Sequence, residues 1–439
     1  MTSSWQTAQF KNFCDITRGA SPRPIHDYLG DEGMPWIKIA DATAENSRYI
    51  SRTKEKIKLH GVKASVEVFP GDLILSNSAT PGLPKFLKIN ACIHDGWMLL
   101  RNFRNLDIEF AYWLLLAERV KLVAQGNGSV FTNLKTDILK SHFVTIPPVD
   151  EQRKIARLLN ALDDKITLLR ETSITLESIA QALFKSWFVD FDPVRTRQDI
   201  KCAELIDEVA AEIFPNTFDQ STSAVIPQGW HLKKMEDVSS VGIGKTPPRK
   251  EQQWFSQDSK DIRWVSIRDM GDFGVYTLDT SEFITKEAVN QFNVRIVPDN
   301  TVIMSFKMTI GRVAITDGEM TTNEAIAHFK LEKESTISSQ YIYLHLKQFN
   351  FSELSSTSSI ADAVNSKTVR QIPILIPSLQ VMSAFQEKVE PIFNLLKNYA
   401  FQIQTLTNLR DTLLPRLISG QIRLPDLVEE IGATTTLSL

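Results

Sequence analysis

The sequence lacks the features that mark secreted, membrane-spanning and metal-stabilised proteins. Among its 439 residues are only three cysteines, Cys14, Cys92 and Cys202, too far apart for a disulfide framework or a local metal site. No run of about 18 apolar residues occurs, so no membrane-spanning helix is expected. Residues 1–5 contain neither the basic nor the apolar region of a signal peptide. These absences predict a protein of the reducing cytoplasm.

An excess of positive charge is also missing. The chain has 49 Lys and Arg against 52 Asp and Glu, a net charge of −3. Residues 1–148 carry 18 basic and 14 acidic side chains, and residues 149–224 carry 9 and 14. The remainder is nearly balanced, with 17 and 18 over 225–378 and 5 and 6 over 379–439. Any nucleic-acid binding must therefore come from local basic loops, or be shared with a basic partner.

Motifs for metal, nucleotide or hydrolase chemistry are absent from the sequence. No two of the seven histidines are spaced i, i+3 or i+4, so no metal-binding helix is expected. Residues 242–246 (GIGKT) invite comparison with a phosphate-binding loop. However, Ser239 replaces its first glycine, and Pro247 and Pro248 stand where a helix must begin. No nucleophile elbow or dinucleotide-binding motif occurs. A self-contained active site is not expected.

The sequence does contain a long internal duplication. Residues 35–41 (PWIKIAD) return as residues 263–269 (RWVSIRD), 228 positions later, and 146–148 (IPP) return as 376–378 (IPS), 230 positions later. Residues 70–76 similarly return at 298–305. A solenoid would repeat every few tens of residues. The duplication instead predicts two similar domains and two similar sites.

Each half of the chain has the same order of predicted elements. Short strand-like runs and Gly, Pro or Asn turns come first, and a short helix is predicted near 108–124 in one half and 338–350 in the other. A strand that ends in Ile-Pro follows, at 143–146 and 372–376. A long helix comes last in each half.

Both long helices carry an apolar residue at every seventh position. The stripe runs over residues 151–187 and 380–417, and its predicted seam is Ile155, Leu162, Leu169, Leu176 and Leu183, with Phe385, Ile392, Tyr399, Leu406 and Leu413. Five heptads are typical of a coiled coil. The alternative is that each stripe packs on its own globular domain. Two such helices in a duplicated chain are expected to pair antiparallel and to act as a ruler between the domains.

The predicted fold class is α+β, with two similar mixed α/β domains separated by two long antiparallel coiled-coil helices in a pseudo-twofold internal repeat. The predicted divisions are a first domain (1–148), a central helix (149–190), a linker with a short helix (191–224), a second domain (225–378), a distal helix (379–424) and a tail (425–439). The short helix of the linker is expected over 199–213, and the linker's aromatic start is at Trp187 and Phe188.

Basic and polar side chains recur on turns of both halves, beside a shared Gly-x-(Ser/Thr)-Pro sequence. Such side chains can pair with base edges or bind phosphate, although each one taken alone is more often a solvated surface charge. The candidate DNA-contacting residues are Arg18, Arg23, Lys38, Arg52, Lys54, Asn77, Ser78, Thr80, Lys85, Lys245, Thr246, Arg249, Arg268, Lys307 and Arg312.

The helical regions resemble conserved regions of type I restriction-modification specificity subunits. Residues 146–155 (IPPVDEQRKI) and 183–191 (LFKSWFVDF) resemble the central conserved region, and 409–420 (LRDTLLPRLISG) resembles the distal one. The Gly-x-(Ser/Thr)-Pro and Trp-(Ile/Val)-x-Ile-x-Asp segments are similar to those of the target-recognition domains. One departure is residues 379–382 (LQVM), where the family usually has a Glu-Gln pair like that at 151–152.

This resemblance implies a chain that selects DNA and does no chemistry. Each domain would read half of a bipartite site on double-stranded DNA, and the coiled coil would set the spacer. Two methyltransferase subunits would methylate adenine with S-adenosylmethionine, and restriction subunits using ATP and Mg²⁺ would join them. No cofactor is expected on this chain. Because Lys38 aligns with Ser266 and Asn77 with Phe306, the two half-sites are expected to differ.

Two other functions are compatible with the residues alone. The first is a coiled-coil scaffold that bridges proteins without reading DNA. The second is a self-sufficient nuclease or methyltransferase, which would be active without partners.

Overall fold

The computed structural model describes residues 5–44, 47–125, 133–198, 212–219, 225–272, 274–352 and 364–424. The chain forms two compact units: unit 1 is Met1–Leu168 with Thr405–Leu439, and unit 2 is Leu169–Gln404. Most of the helix predicted over 199–213, all of the tail 425–439 and Cys202 lie outside the described residues.

Unit 1 begins with a mixed region of short strands and helices. Its strands are β1 (Gln6–Gln9), β2 (Asp15–Arg18), β3 (Leu29–Gly30), β4 (Met34–Ile37), β5 (Tyr49–Ile50), β6 (Glu55–Ile57), β7 (Val66–Val68), β8 (Leu73–Ser76), β9 (Pro84–Leu87), β10 (Ala91–Ile93), β11 (Trp97–Arg101) and β12 (Phe143–Ile146). Its helices are α1 (Ile39–Ala44), α2 (Leu59–Val62), α3 (Ile108–Ala124), α4 (Thr136–Ser141) and the first half of α5 (Val149–Phe188).

Unit 2 repeats this organisation. Its strands are β13 (Phe218–Asp219), β14 (Ile226–Pro227), β15 (His231–Lys234), β16 (Ser240–Ile243), β17 (Phe255–Ser256), β18 (Ile262–Val265), β19 (Tyr276–Thr277), β20 (Glu282–Ile284), β21 (Val302–Ser305), β22 (Val313–Thr316), β23 (Thr321–Thr322), β24 (Ile326–Lys330) and β25 (Pro373–Ile376). Its helices are α6 (Asp192–Gln198), α7 (Met235–Val238), α8 (Asp269–Asp272), α9 (Lys286–Phe292), α10 (Ser339–Gln348), α11 (Ser366–Arg370) and part of α12 (Leu379–Ile418).

Sheet topology confirms the duplication sheet by sheet, although the second sheet of unit 2 has one strand fewer. The five-stranded sheet β2-β11-β8-β9-β5 of unit 1 corresponds to β16-β24-β21-β22-β19 of unit 2. A second sheet has the order β3-β6-β4-β10-β7 in unit 1 and β17-β20-β18-β23 in unit 2. In both units this second sheet contains one parallel pair, β4 with β10 and β18 with β23. The ribbon β1-β12 likewise corresponds to β15-β25.

Buried central strands explain why the two units fold alike. Every residue of β8 and of β21 is buried, because each lies in the middle of its five-stranded sheet. Such strands read as continuous apolar runs, which is the pattern that the sequence shows at both positions. The predicted short helices are confirmed as α3 and α10, and the predicted Ile-Pro strands as β12 and β25.

The two 40-residue helices, α5 and α12, run through both units. In unit 1, Ile155 near the start of α5 shares a core with Leu413 near the end of α12. In unit 2, Phe184 near the end of α5 shares a core with Phe385 near the start of α12. In each unit, therefore, the beginning of one helix packs with the end of the other, which is the predicted antiparallel order.

The apolar stripe serves the domain cores as well as the helix pair. Of the predicted seam, the buried members are Ile155, Leu169, Phe385 and Leu413, and the half-buried ones are Leu162, Leu176, Leu183, Ile392, Tyr399 and Leu406. Burial is greater at the intervening positions Leu159, Ile166, Phe184, Val389 and Phe393. Of these, Leu159, Phe184, Val389 and Phe393 share cores with strands and with α3 or α10 as well as with the other helix. The predicted alternative, packing on the globular domain, thus contributes alongside the coiled coil.

The start of α5 is held by one buried amide. Gln152 is fully buried, donates to the carbonyls of Asn105 and Pro147, and accepts from the backbone N–H of Asp107. Asp107 is also the N-cap of α3. At the corresponding position of α12 stands Met382, which is buried in the core of unit 2. The departure from the family's Glu-Gln pair therefore replaces a hydrogen-bonded anchor with an apolar one.

One sequence prediction about α5 needs correction. Trp187 and Phe188 do not begin a linker, because both lie in the helix and are buried in the core of unit 2. Asp163 of α5 is also buried, at 8% exposed, and its Oδ2 is 3.4 Å from Nε of Arg48. Arg48 is itself only 3% exposed, so this cation supports the fold and is not presented to solvent.

Candidate nucleic-acid interface

In each unit, three loops meet and are joined by hydrogen bonds. We call this set of loops the loop edge. In unit 1 it comprises residues 19–23, 76–82 and 94–96, and in unit 2 it comprises residues 244–248, 305–311 and 323–325. The loops follow the ends of corresponding strands, so the two loop edges are built on the same frame.

Asp95 organises the loop edge of unit 1. Its carboxylate accepts hydrogen bonds from Ser21 Oγ at 2.7 Å and from a guanidinium nitrogen of Arg23 at 3.2 Å. Its backbone carbonyl accepts from Arg18 Nε at 3.0 Å and from Asn77 Nδ2 at 2.9 Å. The structure thus brings three of the predicted site residues, Arg18, Arg23 and Asn77, to one acidic residue.

The surroundings of Asp95 keep its carboxylate ionised. Burial alone would raise the pKa of Asp95, but the Ser21 hydroxyl, the local backbone N–H and the charge of Arg23 together lower that pKa below its ordinary value. Asp95 is 39% exposed, and the Arg23 side chain is 71% exposed. The result is a charge-balanced cluster that still presents hydrogen-bond donors to solvent.

The loop edge of unit 2 has the same connections with different side chains. Thr246 Oγ1 donates to the carboxylate of Glu324, as Ser21 does to Asp95. The backbone N–H of Phe306 donates to the carbonyl of Ala325 at 2.9 Å, as that of Asn77 does to Gly96 at 2.8 Å. The second position after Thr246 is Pro248, where unit 1 has Arg23.

Close backbone contact explains the glycine of the shared Gly-x-(Ser/Thr)-Pro sequence. A Cβ atom on Gly19 would lie 2.1 Å from the carbonyl oxygen of His94, and one on Gly244 would lie 2.1 Å from that of Asn323. No side chain fits there unless the backbone moves. The motif is therefore a packing requirement that sets the position of the following hydroxyl.

The turn in the middle loop is also shared. Ser76 Oγ donates to the carbonyl of Thr80 and Ser305 Oγ to that of Thr309, each at 2.5 Å. The residue at the tip has a left-handed backbone in both units, with φ 57° at Ala79 and 60° at Met308. Residues other than glycine rarely adopt this conformation.

Two further acids at corresponding positions pair with predicted DNA-binding cations. Lys38 Nζ lies 2.5 Å from Glu55 in unit 1. In unit 2, both terminal nitrogens of Arg249 donate to Glu282, at 3.0 and 2.8 Å, and its guanidinium lies 4.4 Å from the ring centroid of Trp264. The bidentate fork of Arg249 is thus already occupied.

The remaining predicted site residues divide by exposure. Exposed side chains are Arg52, Lys54, Lys245, Arg268 and Lys307, and half-buried ones are Ser78, Thr80 and Arg312. The guanidinium of Arg312 donates to the carbonyl of Ile267 at 2.7 Å, so it supports a neighbouring loop. Asn77 is 7% exposed and has the same supporting role.

Lys85 must be withdrawn from the candidates. It is 5% exposed, lies in the fully buried strand β9, and donates through Nζ to the backbone carbonyl of Ser47. Its burial could not be predicted from the sequence, because a lone lysine in a strand usually marks an exposed face.

Sequence reasoning missed the four acids Glu55, Asp95, Glu282 and Glu324. Glu55 and Glu282 lie 227 positions apart, and Asp95 and Glu324 lie 229 positions apart, close to the period of the duplication. Aligning the two halves would have revealed them, but a search for phosphate-binding cations passes over carboxylates.

The described residues form neither a metal site nor a membrane-spanning helix. No group of three His, Cys, Asp or Glu side chains in the described part of the chain could hold a metal ion. Among the described residues, no helix combines the length and apolar character needed to cross a membrane.

Comparison with known proteins places the whole chain in one family. Residues 2–178 and 227–411 match the family described as the type I restriction modification DNA specificity domain. The HindI specificity subunit of Haemophilus influenzae is 27% identical, and the alignment covers 93% of this chain and 98% of that protein. The MjaIX specificity subunit of Methanocaldococcus jannaschii is 26% identical, with coverages of 96% and 94%.

A solved structure shares the fold. The crystal structure of a type I restriction-modification S subunit from M. genitalium aligns with a TM-score of 0.57 at 14% identity, covering 95% of this chain and 96% of that one. The two matched ranges of the family correspond to the two halves of the duplication. The chain therefore belongs to the type I restriction-modification DNA specificity family and carries the family's domain twice.

Proposed function

We propose that the chain reads a bipartite, asymmetric DNA site, with one loop edge contacting each half. The observation that carries this proposal is the pair of loop edges. They share one hydrogen-bonded frame but present different side chains, with Arg23 and Asp95 in unit 1 and Pro248 and Glu324 in unit 2. Equal frames with unequal side chains are suited to two different half-sites.

The chemistry of the loop edges supports base reading more than bulk attraction. The chain has a net charge of −3, so it cannot hold DNA by charge alone. Arginine and lysine pair with guanine, and carboxylates accept from the amino group of cytosine. Because Asp95 is paired with Arg23, its charge is partly compensated and need not repel the phosphates beside it.

The proposed division of labour leaves all chemistry to other subunits. The relatives are named specificity subunits of restriction enzymes, which fits a chain that directs partners and does not react itself. Two methyltransferase subunits would use S-adenosylmethionine to methylate adenine, and restriction subunits would use ATP and Mg²⁺. The assembled complex would act on DNA in the cytoplasm.

The two long helices are proposed to set the unread spacer between the half-sites. Each is an unbroken run of 40 residues, about 60 Å at roughly 1.5 Å per residue. A continuous helix has a fixed length, so the number of base pairs that it spans is also fixed.

Reciprocal substitutions test the reading of half-sites. Arg23→Ala should weaken recognition of one half-site, and Lys245→Ala should weaken recognition of the other. Each loss should be about 1–3 kcal/mol, the value of a well-formed contact between a side chain and a base edge. The exposed lysines Lys11 and Lys286, outside the loop edges, provide matched alanine controls. The measurement is methylation of DNA libraries in which either half-site is varied.

A loss that is equal for both half-sites would contradict the assignment of each unit to one half. Footprinting of the assembled complex distinguishes DNA reading from the alternative of a coiled-coil scaffold. A two-part footprint supports DNA reading, whereas its absence would favour a protein scaffold that does not bind DNA.

A further inference from the structure

The loop edge of unit 2 carries an exposed apolar side chain at its tip. Met308 is 93% exposed, the highest value among the large apolar side chains of the described residues. Its backbone has φ 60°, a left-handed conformation that costs free energy for any residue with a Cβ. Solvent exposure and backbone strain both oppose methionine here, so stability does not explain its presence.

Hydrogen bonds fix the backbone beneath this side chain. Ser305 Oγ donates to the carbonyl of Thr309 at 2.5 Å and accepts from the N–H of Arg312 at 3.2 Å. The N–H of Gly311 donates to the carbonyl of Ser305 at 2.9 Å. Because both ends of the turn are tied together, residues 307–310 project as a preformed tip and are all exposed.

The tip belongs to the candidate DNA-binding surface. The N–H of Phe306 donates to the carbonyl of Ala325, and the preceding residue, Glu324, accepts from Thr246. Lys307, the residue before Met308, is exposed and has its Nζ 5.6 Å from the ring centroid of Phe306, and Ile310 is 43% exposed. An apolar residue next to a cation at a strained turn suits a ligand with both a stacked apolar interior and an anionic backbone.

Unit 1 has the same turn without the long apolar side chain. Ala79 occupies the tip at φ 57°, and the next residue but one is Pro81 where unit 2 has Ile310. The turn itself is thus a property of the duplicated frame. The long side chain is a property of unit 2 alone.

We propose that Met308 inserts between two stacked base pairs of the half-site that unit 2 reads, while Lys307 contacts an adjacent phosphate. Methionine is among the apolar side chains that proteins use as wedges, and a wedge unstacks a base step and kinks the duplex. The proposal rests on the proposed DNA-reading function and names the residue that would make unit 2 sensitive to how easily one base step deforms.

The experiment uses the full chain assembled with its methyltransferase subunits, on the site identified by sequencing methylated adenines. The fluorescent adenine analogue 2-aminopurine is placed at successive positions of each half-site, because its emission rises when it unstacks. The wild-type complex should raise the emission at one step of the half-site read by unit 2. Met308→Ala should abolish that rise and weaken binding about tenfold, the scale expected for burial of one methionine side chain.

Two variants separate the wedge from effects on the turn. Met308→Leu keeps a long apolar side chain and should retain the emission signal. Met308→Gly relieves the backbone strain but removes the side chain, so it should behave as Met308→Ala does. Because the side chain is exposed, Met308→Ala and Met308→Leu should unfold at the wild-type temperature, and Met308→Gly should unfold no lower than that.

The outcomes distinguish the two proposals. A two-part footprint with unchanged emission and affinity in Met308→Ala would overturn the wedge and leave DNA reading intact. If the wild-type complex gives no footprint, the proposed function itself fails. If Met308→Ala releases a methyltransferase subunit during gel filtration, the side chain contacts protein, and the wedge is again overturned.

Discussion

At the residue scale, each loop edge is organised by a carboxylate. An acid at a surface proposed to approach phosphates would normally repel them. The Asp95 carboxylate pairs with Arg23 and accepts from Ser21, its carbonyl accepts from Arg18, and Glu324 accepts from the Thr246 hydroxyl. In the proposed function these acids would orient the basic and hydroxyl side chains before DNA binds, and side chains held in place lose less conformational entropy on binding.

The glycine beneath each loop edge gives a prediction that compares two similar substitutions. Gly244→Ala should destabilise unit 2 by about 1–3 kcal/mol, because a Cβ would lie 2.1 Å from the carbonyl oxygen of Asn323. Gly274→Ala is the control, since its added Cβ would meet no atom within 4 Å. The measurement is chemical denaturation of both variants. Equal stability of the two would show that the turn has room for a side chain.

The sequence predicted part of the loop edge at this scale. The Gly-x-(Ser/Thr)-Pro sequences and Arg18, Arg23, Lys245 and Thr246 lie where a shared site requires them. The prediction that Lys85 contacts DNA was wrong, because the burial of a strand on both faces depends on what packs against it. Asp95 was missed because its partner Ser21 is 74 positions away in sequence.

At the element scale, α5 is fixed to unit 1 by a buried ionic cluster. Arg48 contacts both Asp163 and Asp164, and Arg410 on α12 lies 2.6 Å from Asp163. The corresponding positions of unit 2 are Val275 and Phe393, both buried and apolar. The same helix-to-domain contact is therefore ionic in one unit and apolar in the other.

Removing the cation Arg48 from this cluster while its acids remain should destabilise unit 1. Arg48→Met should destabilise unit 1 by about 3–5 kcal/mol, because it leaves Asp163 buried with less compensation. The double variant Arg48→Met with Asp163→Leu should recover much of that loss, since it imitates the apolar pair of unit 2. Denaturant unfolding measures both. If the double variant is less stable than Arg48→Met, the cluster contributes net stability that an apolar pair cannot replace.

Helix α10 contains a histidine whose titration should make unit 2 sensitive to acid. Burial lowers the pKa of His345 to about 4, although a hydrogen bond to the Pro373 carbonyl opposes this change. In the unfolded chain the pKa returns to about 6.5. The unfolded state therefore binds a proton first as the pH falls, and stability should decline between about pH 6.5 and 4.

His345→Phe should reduce this decline, as measured by thermal unfolding at pH 7.5 and pH 5. His328 contributes in the same direction, because burial and Arg295 also lower its pKa to about 4. His26, whose side chain is 78% exposed, provides the matched control His26→Phe. An unchanged pH dependence in His345→Phe would mean that other groups cause the loss.

The sequence predicted where the helices and strands lie better than it predicted how they pack. Both long helices and the strands β8, β12, β21 and β25 were recognised from apolar spacing. The strict seven-residue seam was only partly right, because α5 and α12 face the sheets of their units as well as each other. Ile179, Leu395 and Leu409, apolar residues of the same two helices, are 51%, 44% and 44% exposed.

At the scale of the whole molecule, duplication explains the architecture, and divergence of the two loop edges underlies the proposed function. The family resemblance first seen in the helices is confirmed by the match over 2–178 and 227–411. The target sequence could not be predicted, because base choice depends on loop geometry, bound water and DNA shape. Which side chains touch bases remains a prediction.

The proposed ruler predicts the effect of lengthening both long helices. Inserting one heptad into α5 and one into α12 adds about 10 Å to each. The spacer should lengthen by about three base pairs, and both half-sites should stay the same. An insertion in α5 alone is the control, because it should disturb the pairing of the helices. Altered half-sites in the double insertion would contradict the ruler.

The central claim is that two equal frames with unequal loop edges read two different half-sites. The most direct measurement is sequencing of methylated adenines in host DNA, with and without the chain, because it reports the target, the spacer and the activity together. The account predicts one split motif, with two different half-sites separated by a fixed number of unread base pairs. A continuous motif, a palindromic one, or methylation that does not depend on this chain would contradict it.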